Sequence, residues 1–476
     1  MPSFQKKIAV ILAVLGLLCA RVPASSAQFL DDSDDKEEVP GKTVDTATTI
    51  ARKLFGAGTG NLQKLTLDDC IHRALVDNPE LRVADYGIVG VMEKKTEANR
   101  LGYPILDYEY YLAPAPKDVG NAIESFFSGD LTVLNRFKLG VGVPIQTFGK
   151  VKVGKELADT GIAAEREKKA QKKGDIVLKI RQLYYGILLA EEARRLLTSA
   201  HEGVDKQIKK REDEGGSDPT ELLKLKLFRE DLEKKMQEGD KKEILAREAL
   251  RIQMGLGPST RFDLAADRLR PVPFKLGEYD PYKQEAWSQR SDLKLLDMGV
   301  QAKAQQVKLE KRLMAPNLGV GAFFEIGRTP GVTGVTTTDD FSDPFNFTRA
   351  GVGFQLKGQL DLHTGFSKIR QAKNELYKIE SQRELAQEGV DLEVKEAYLD
   401  VRNTKRDMER SEEAGKLSRQ LLFLTQSNYD IGLAEPKDLI EGLSGFLQSR
   451  GQYFESVFNY NVAVAKLHQK LGRLPD

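Results

Sequence analysis

The sequence predicts a mainly α-helical chain with membrane-suited β-strands, laid out as a tandem repeat. Three observations predict it. Four short segments alternate apolar and polar residues over about the length that crosses a bilayer. Between them run long proline-free stretches with helical spacing. The two halves of the 476-residue chain repeat one order of elements.

The alternating segments are Leu106 to Leu112, Phe137 to Ile145, Leu318 to Ile326 and Val352 to Leu360. In the second, Phe137, Leu139, Val141, Val143 and Ile145 share one face, and Lys138, Gly140, Gly142, Pro144 and Gln146 the other. A period of two with one apolar face marks strands whose faces meet different solvents. Four strands cannot close a membrane barrel, since the smallest have about eight. Either they form a small soluble sheet, or several chains pool them.

The first residues read as a secretory signal over 1–27. Lys6 and Lys7 form a basic start, Ile8 to Ala20 an apolar run, and Ser25-Ser26-Ala27 a small-residue cleavage site. The run is too short for a spanning helix. A short anchor, or acylation at Cys19, are the alternatives. Residues 28–62, with an acidic cluster between Asp31 and Glu38, read as a flexible acidic leader. Once the signal is removed only Cys70 is left, so no disulfide within the chain is expected.

The first repeat is expected over 63–255, with helices from Leu65 and Pro79 and strands at about 105–113 and 137–147. A long helix then reaches about Asp213, a break runs from Glu214 to Pro219, and another helix continues to about Met254. A proline-containing linker fills 256–280. The second repeat spans 281–472, with strands at about 317–327 and 350–361, and 473–476 form a short tail. Leu81 to Pro104 aligns with Leu293 to Pro316 without a gap, and Gly215, Pro219, Glu221 and Leu222 match Gly432, Pro436, Asp438 and Leu439. Each long helix has about 65 residues, or roughly 100 Å, about the summed length of the two shorter ones beside it.

Composition narrows the function. Lys plus Arg total 72 and Asp plus Glu 71, so no basic excess points to nucleic acid. Gly-x-Ser-x-Gly and P-loop motifs are absent, and His201-Glu202 is followed by Asp205 where a zinc helix needs a second His. The four histidines are scattered. Neither an enzyme nor a metal or other cofactor is expected.

The chain resembles the TolC-like outer-membrane efflux family. The resemblance rests on an opening motif, Leu65-Thr66-Leu67-Asp68-Asp69-Cys70-Ile71-His72-Arg73-Ala74-Leu75-Val76-Asp77-Asn78-Pro79-Glu80-Leu81. A closing motif joins Asn428-Tyr429-Asp430-Ile431-Gly432 to Pro436-Lys437-Asp438-Leu439-Ile440. It covers about residues 65 to 472, including the duplicated order. It implies a homotrimer in which each chain gives four strands to a twelve-stranded outer-membrane β-barrel, above a periplasmic α-helical tunnel with a closed tip. Such a conduit exports small molecules or proteins passively, with a periplasmic adaptor and an inner-membrane transporter as partners. The two breaks become tip turns.

The resemblance also assigns site residues. Asp438 and Glu441, on one face of a helix, would ring the pore constriction and favour cations; acids in a first helical turn also simply stabilise the helix dipole. Tyr429 matches the tyrosine of a tip-closing link and Glu221 its acidic partner. Thr220 matches the acceptor of a second link, whose arginine, expected near Ala434, is absent. Simple helix packing is the other reading of Tyr429. The rival class is a periplasmic coiled-coil adaptor or scaffold that never spans the membrane. Such proteins usually carry one helical hairpin, whereas this chain has two, each tied to a strand pair.

Overall fold

Thr66 and Asp69 start the first helix by capping each other: the Asp69 N–H donates to the Thr66 hydroxyl at 3.2 Å, and the Thr66 N–H donates to Asp69 Oδ2 at 2.9 Å. The computed structural model describes residues 63–213, 219–258, 260–333, 343–358, 362–431 and 433–473. The expected signal (1–27) and leader (28–62) lie outside these residues, as do 214–218 of the first break, Gly432, the end of the fourth strand at 359–361 and 474–476 of the tail.

In chain order the elements are β1 (Gln63–Leu65), α1 (Leu67–Asp77), α2 (Pro79–Arg100), β2 (Ile105–Pro116), α3 (Ala122–Ser128), β3 (Leu131–Gln146), α4 (Lys150–Asp213) and α5 (Pro219–Gln253). The second half adds β4 (Phe262–Leu264), α6 (Tyr279–Gln289), α7 (Ser291–Leu313), β5 (Asn317–Arg328), β6 (Phe347–Lys357), α8 (Leu362–Asp430) and α9 (Pro436–Lys470). Thus α1, α2 and β2 recur as α6, α7 and β5, and the pair α4–α5 recurs as α8–α9.

Three features differ from the sequence expectation. Strand β3 begins at Leu131 rather than 137, because Leu131 and Val133 continue its alternation across the polar Asn135. The span between the first two expected strands also holds the end of β2 and helix α3. The 256–280 linker contains β4 and leads into α6. A three-residue strand has no readable period. Helix α6 buries only Tyr282 and Ala286, too few apolar positions to announce itself.

The four long strands form one antiparallel sheet in the order β2-β3-β5-β6, and β1 pairs with β4 in a separate parallel ribbon. Each strand of the large sheet adjoins a helix in sequence: α2 enters β2, β3 leads to α4, α7 enters β5, and β6 leads to α8. The helices beside the sheet accordingly neighbour one another in the order α2-α4-α7-α8, and beyond them the order is α5-α4-α9-α8. Two shorter helices thus lie along each long one. The 64 residues of α4 and the 69 of α8 correspond to about 95–105 Å.

Packing concentrates in three places. One cluster gathers Cys70, Ala74, Ile180, Ile187, Leu250 and Met254, and a second gathers Ala286, Val394, Val401, Val464 and Leu467. The third joins Val204, Ile208, Leu225 and Leu232 near the ends of α4 and α5. Burial pushes the Cys70 thiol up to about 12, with help from the neighbouring Asp69 charge, so it stays protonated.

The helix junctions of the two repeats use one device. Asn78 is 1% exposed; its Oδ1 accepts from the Glu80 N–H at 2.7 Å to cap α2, while its Nδ2 donates to the Gln253 carbonyl at 2.8 Å. Gly255 follows α5 in the left-handed region, at φ 68°. A Cβ there would stand 2.3 Å from the Asp77 carbonyl oxygen. Gly472 repeats this after α9, at φ 76°, where a Cβ would lie 2.8 Å from the Gln289 carbonyl carbon. Only glycine fits both the backbone and the space.

The linker is tied down along its length. Asn461, 1% exposed, accepts from the Val272 N–H at 2.8 Å and donates to the Arg270 carbonyl at 2.9 Å. The Tyr460 hydroxyl donates to the Phe274 carbonyl at 3.2 Å. Glu192, buried in α4, takes the Leu269 N–H at 3.3 Å and Arg268 at 3.2 Å.

Candidate functional site

The strand register sorts the sheet into rows that cross all four strands. One face carries Leu106–Val141–Ala322–Val352, then Tyr108–Leu139–Phe324–Ala350, then Tyr110–Phe137–Ile326–Thr348. The opposite face carries Asp107–Gly140–Phe323–Gly351 and Glu109–Lys138–Glu325–Arg349. The first face is apolar and bare in the single chain: Tyr108 is 78% exposed, Phe354 81% and Leu356 67%. Burying such residues contributes about 1.5–3 kcal/mol each, so this face needs an apolar surrounding.

Beyond the Tyr110 row the same face turns polar at Leu112–Asn135–Arg328. The Tyr110 hydroxyl donates to Asn135 Oδ1 at 2.9 Å, and Arg328 donates to the Phe347 carbonyl at 2.8 Å and to the Thr348 hydroxyl at 3.0 Å. An amphipathic tyrosine followed by a polar rim is what a membrane interface favours. Tyr108, Tyr110 and Phe324 lie on this apolar face. Tyr111 and Phe323 stand on the other: Tyr111 is opposite Arg136, and Phe323 covers Gly351, whose Cβ position is 2.8 Å from the phenyl ring.

The charged row of the second face alternates in sign, from Glu109 to Lys138, Glu325 and Arg349. Arg136 pairs with the buried Glu325 from the neighbouring row. Sequence alternation identifies these as one face, but only the register reveals who stands opposite whom. The outer edges of β2 and β6 have no partner strand among the described residues.

At the far ends of the long helices, Tyr429 is 2% exposed. Its hydroxyl accepts a hydrogen bond from Arg211 Nε at 2.9 Å, and the guanidinium lies 4.8 Å from the ring centre. Arg211 belongs to α4 and Tyr429 to α8, so this contact joins the two hairpins. The sequence offers no signal for it, since the two residues are far apart in the chain. Glu221 is half-buried on α5 and Thr220 is exposed. Asp438 and Glu441 are both exposed in the first turns of α9. Asp438 Oδ2 accepts from the Glu435 N–H at 3.1 Å, so it caps its own helix, and Glu441 stands 3.7 Å from Lys437.

Where α6, α8 and α9 meet, Arg290, Asp292, Glu393 and Lys470 form an ion cluster, with Lys470 Nζ 2.9 Å from Glu393 Oε2. Burial opposes ionisation of Glu393, yet hydrogen bonds from Lys470 and Arg290 hold its carboxyl below the usual range. His468 nearby is lowered to about 4, first by burial and then by the Arg473 and Arg181 charges. No group of metal-ligating side chains occurs among the described residues. No helix among them is long and apolar enough to cross a membrane.

No family model matches the chain, and no curated protein matches it by sequence. Solved structures do match. The outer membrane channel CmeC of Campylobacter jejuni is 16% identical over 86% of this chain and 87% of its own, with a TM-score of 0.66. The open-state outer membrane channel MtrE of Neisseria gonorrhoeae is 15% identical, covers 85% and 88%, and has a TM-score of 0.67. The chain has the TolC-like channel fold. VceC, an outer membrane protein of Vibrio cholerae, shares the fold at 16% identity, over 85% of this chain and 96% of its own, with a TM-score of 0.64. The fold includes both the strand sheet and the helical hairpins, since these alignments span most of each TolC-like chain.

Proposed function

We propose that this chain is one third of an outer-membrane channel-tunnel, exported through its N-terminal signal and assembled as a homotrimer. The observation that carries the reading is the sheet. It has an exposed apolar face, a polar face and, among the described residues, two unpaired edges, β2 and β6. Lipid tolerates no open edge, because each unpaired backbone group there costs several kcal/mol. Pairing β6 of one copy with β2 of the next removes every edge, and three copies give a barrel of twelve strands. The apolar rows then meet lipid, and the Glu109–Lys138–Glu325–Arg349 row faces a wet lumen.

The helical hairpins extend this lumen into the periplasm. There the channel works passively, taking small molecules or proteins from an inner-membrane transporter through a periplasmic adaptor, with no catalytic step of its own. Asp438 and Glu441 form the constriction: three copies place six carboxylates around the axis and favour cations. Tyr429 holds the tip closed, with Glu221 and Thr220 at the same end. Arg211 supplies the cation that the α8–α9 turn lacks near Ala434.

Membrane fractionation tests the reading. The expected result is a detergent-soluble outer-membrane protein that runs as a trimer unheated and as a monomer after boiling. Recovery as a soluble periplasmic monomer would overturn it and favour the adaptor class.

A further inference from the structure

The far ends of β2 and β3, away from the long helices, are covered on one face only. On the polar face, which carries Glu109 and Lys138, Ala115 is buried and Ala113, Thr132 and Leu134 are half-buried. On the apolar face Leu112, Leu131 and Val133 are bare. The connection between the two strands supplies the cover, since α3 packs against β2. Its buried Ser125 accepts from the Lys117 N–H at 3.1 Å and donates to the Asp130 carbonyl at 2.6 Å. The loop after β5 closes over the same side. Thr132 Oγ1 donates to the Pro330 carbonyl at 2.6 Å, and the Thr333 N–H donates to the Lys117 carbonyl at 2.7 Å.

Helix α3 turns apolar side chains away from this anchorage. At about 100° per residue, Ile123 and Phe127 lie opposite Ser125, and they are 77% and 86% exposed. Lipid tails do not reach them. Leu131 stands about six residues beyond the Phe137 row, or roughly 20 Å along the strand, past the polar rim at Asn135.

We propose that the three copies of α3 meet over the outer exit of the barrel and form an apolar cap, with Ile123 and Phe127 of each copy against those of the others. This rests on the trimer reading above and adds a barrier at the exit. A second copy is the occupant because α3 sits on the lumen side, so its bare face points at the axis the copies share. The cap also continues the strand seam, since α3 hangs from β2, the edge strand that pairs with β6 of the next copy. Size agrees. Twelve strands about 4.8 Å apart and tilted about 40° give a barrel roughly 24 Å across. A helix with its side chains is about 10–12 Å thick, so three that lean inward fill the mouth. A constriction lined by such side chains excludes water and ions by dewetting.

Cysteine cross-linking in intact cells tests the contact. Phe127→Cys replaces an exposed side chain, so folding of the single chain does not depend on it, and the buried Cys70 stays in place. Cells are oxidised with copper phenanthroline, and the protein is run boiled without reductant. Three thiols around one axis form only one disulfide, so about two thirds of the chains are expected as covalent dimer and the rest as monomer. Leu112→Cys, on the lipid side of β2, should stay monomeric. Trimers on unheated gels with no dimer from Phe127→Cys would overturn the cap and leave the channel reading intact. Complete conversion to dimer, or equal dimer from Leu112→Cys, would overturn it too, since the link would then join separate trimers. Absence of any unheated trimer would overturn both readings.

Access from outside tests the barrier. Lys138→Cys lies on the lumen face, deeper than α3. A maleimide carried on a polyethylene glycol too large for general porins is added to intact cells. It should label this thiol only when Ala122–Ser128 is replaced by a Gly-Ser linker. Labelling with α3 intact, or in neither protein, would overturn α3 as the barrier.

Discussion

Acidification should loosen the waist of this protein through one histidine. His468 on α9 has its ring 5.4 Å from that of Phe274, and its Nε2 atom is buried without a hydrogen-bond partner. Its pKa falls from 6.5 to about 4, because burial penalises the imidazolium and the Arg473 and Arg181 charges repel it, with Glu285 acting in the opposite sense. The folded pKa is depressed, so the neutral ring favours folding above pH 6.5. As pH drops, the unfolded chain takes the proton first, and this stability is lost progressively between pH 6.5 and 4. A shift of about 2.5 units at 1.36 kcal/mol each sets a ceiling near 3.4 kcal/mol per chain, of which about 2 kcal/mol is gone by pH 5. His468→Leu keeps the bulk against Phe274 and removes the titration. Urea midpoints followed by helical circular dichroism, at pH 7.5, 6.0 and 5.0, give the comparison. The variant should lose about 2 kcal/mol less than the wild type between pH 7.5 and 5. The carboxylates cancel in that difference. Parallel pH profiles for the two proteins would refute the argument.

Three further predictions concern other sites. Gly255→Ala adds a left-handed penalty of about 1–2 kcal/mol to a clash with the Asp77 carbonyl, whereas Gly239→Ala, in open space on α5, should gain about 0.5–1 kcal/mol; equal urea midpoints for the two would contradict this. Tyr429→Phe removes the hydrogen bond from Arg211, about 1.5–3 kcal/mol for a charged donor, and keeps the ring. It should raise single-channel conductance in planar bilayers, and wild-type conductance would discount a closing role. Asp438→Asn with Glu441→Gln should reduce cation preference and cation block, and unchanged ion selectivity would remove these residues from the constriction.

Much of the architecture was legible because it rests on period and punctuation. Alternation at Phe137 to Ile145 placed a strand and even its apolar face, and the Asn78-Pro79 junction marked where α1 yields to α2. Duplication gave the second set of elements. What stayed hidden lacks local signal. The three residues of β4 have no period, and α6 is amphipathic only weakly. Pairings between distant segments, such as Arg211 with Tyr429 or Glu109 with Lys138, depend on register and helix rotation, which no single stretch encodes. At the start of α9, Asp438 was legible as a first-turn acid; its bond to the Glu435 N–H gives it a structural duty.

The tethered linker has a mechanical consequence. Asn461, Tyr460 and Glu192 fasten residues 268–274 to α9 and α4, and β4 is stitched to β1. The segment between the repeats is therefore a strap that ties α4 and α9 together within the chain. Any dilation that parts Arg211 from Tyr429 is then expected to flex the long helices below this strap, as levers turning about a fulcrum, while the strand end keeps its diameter.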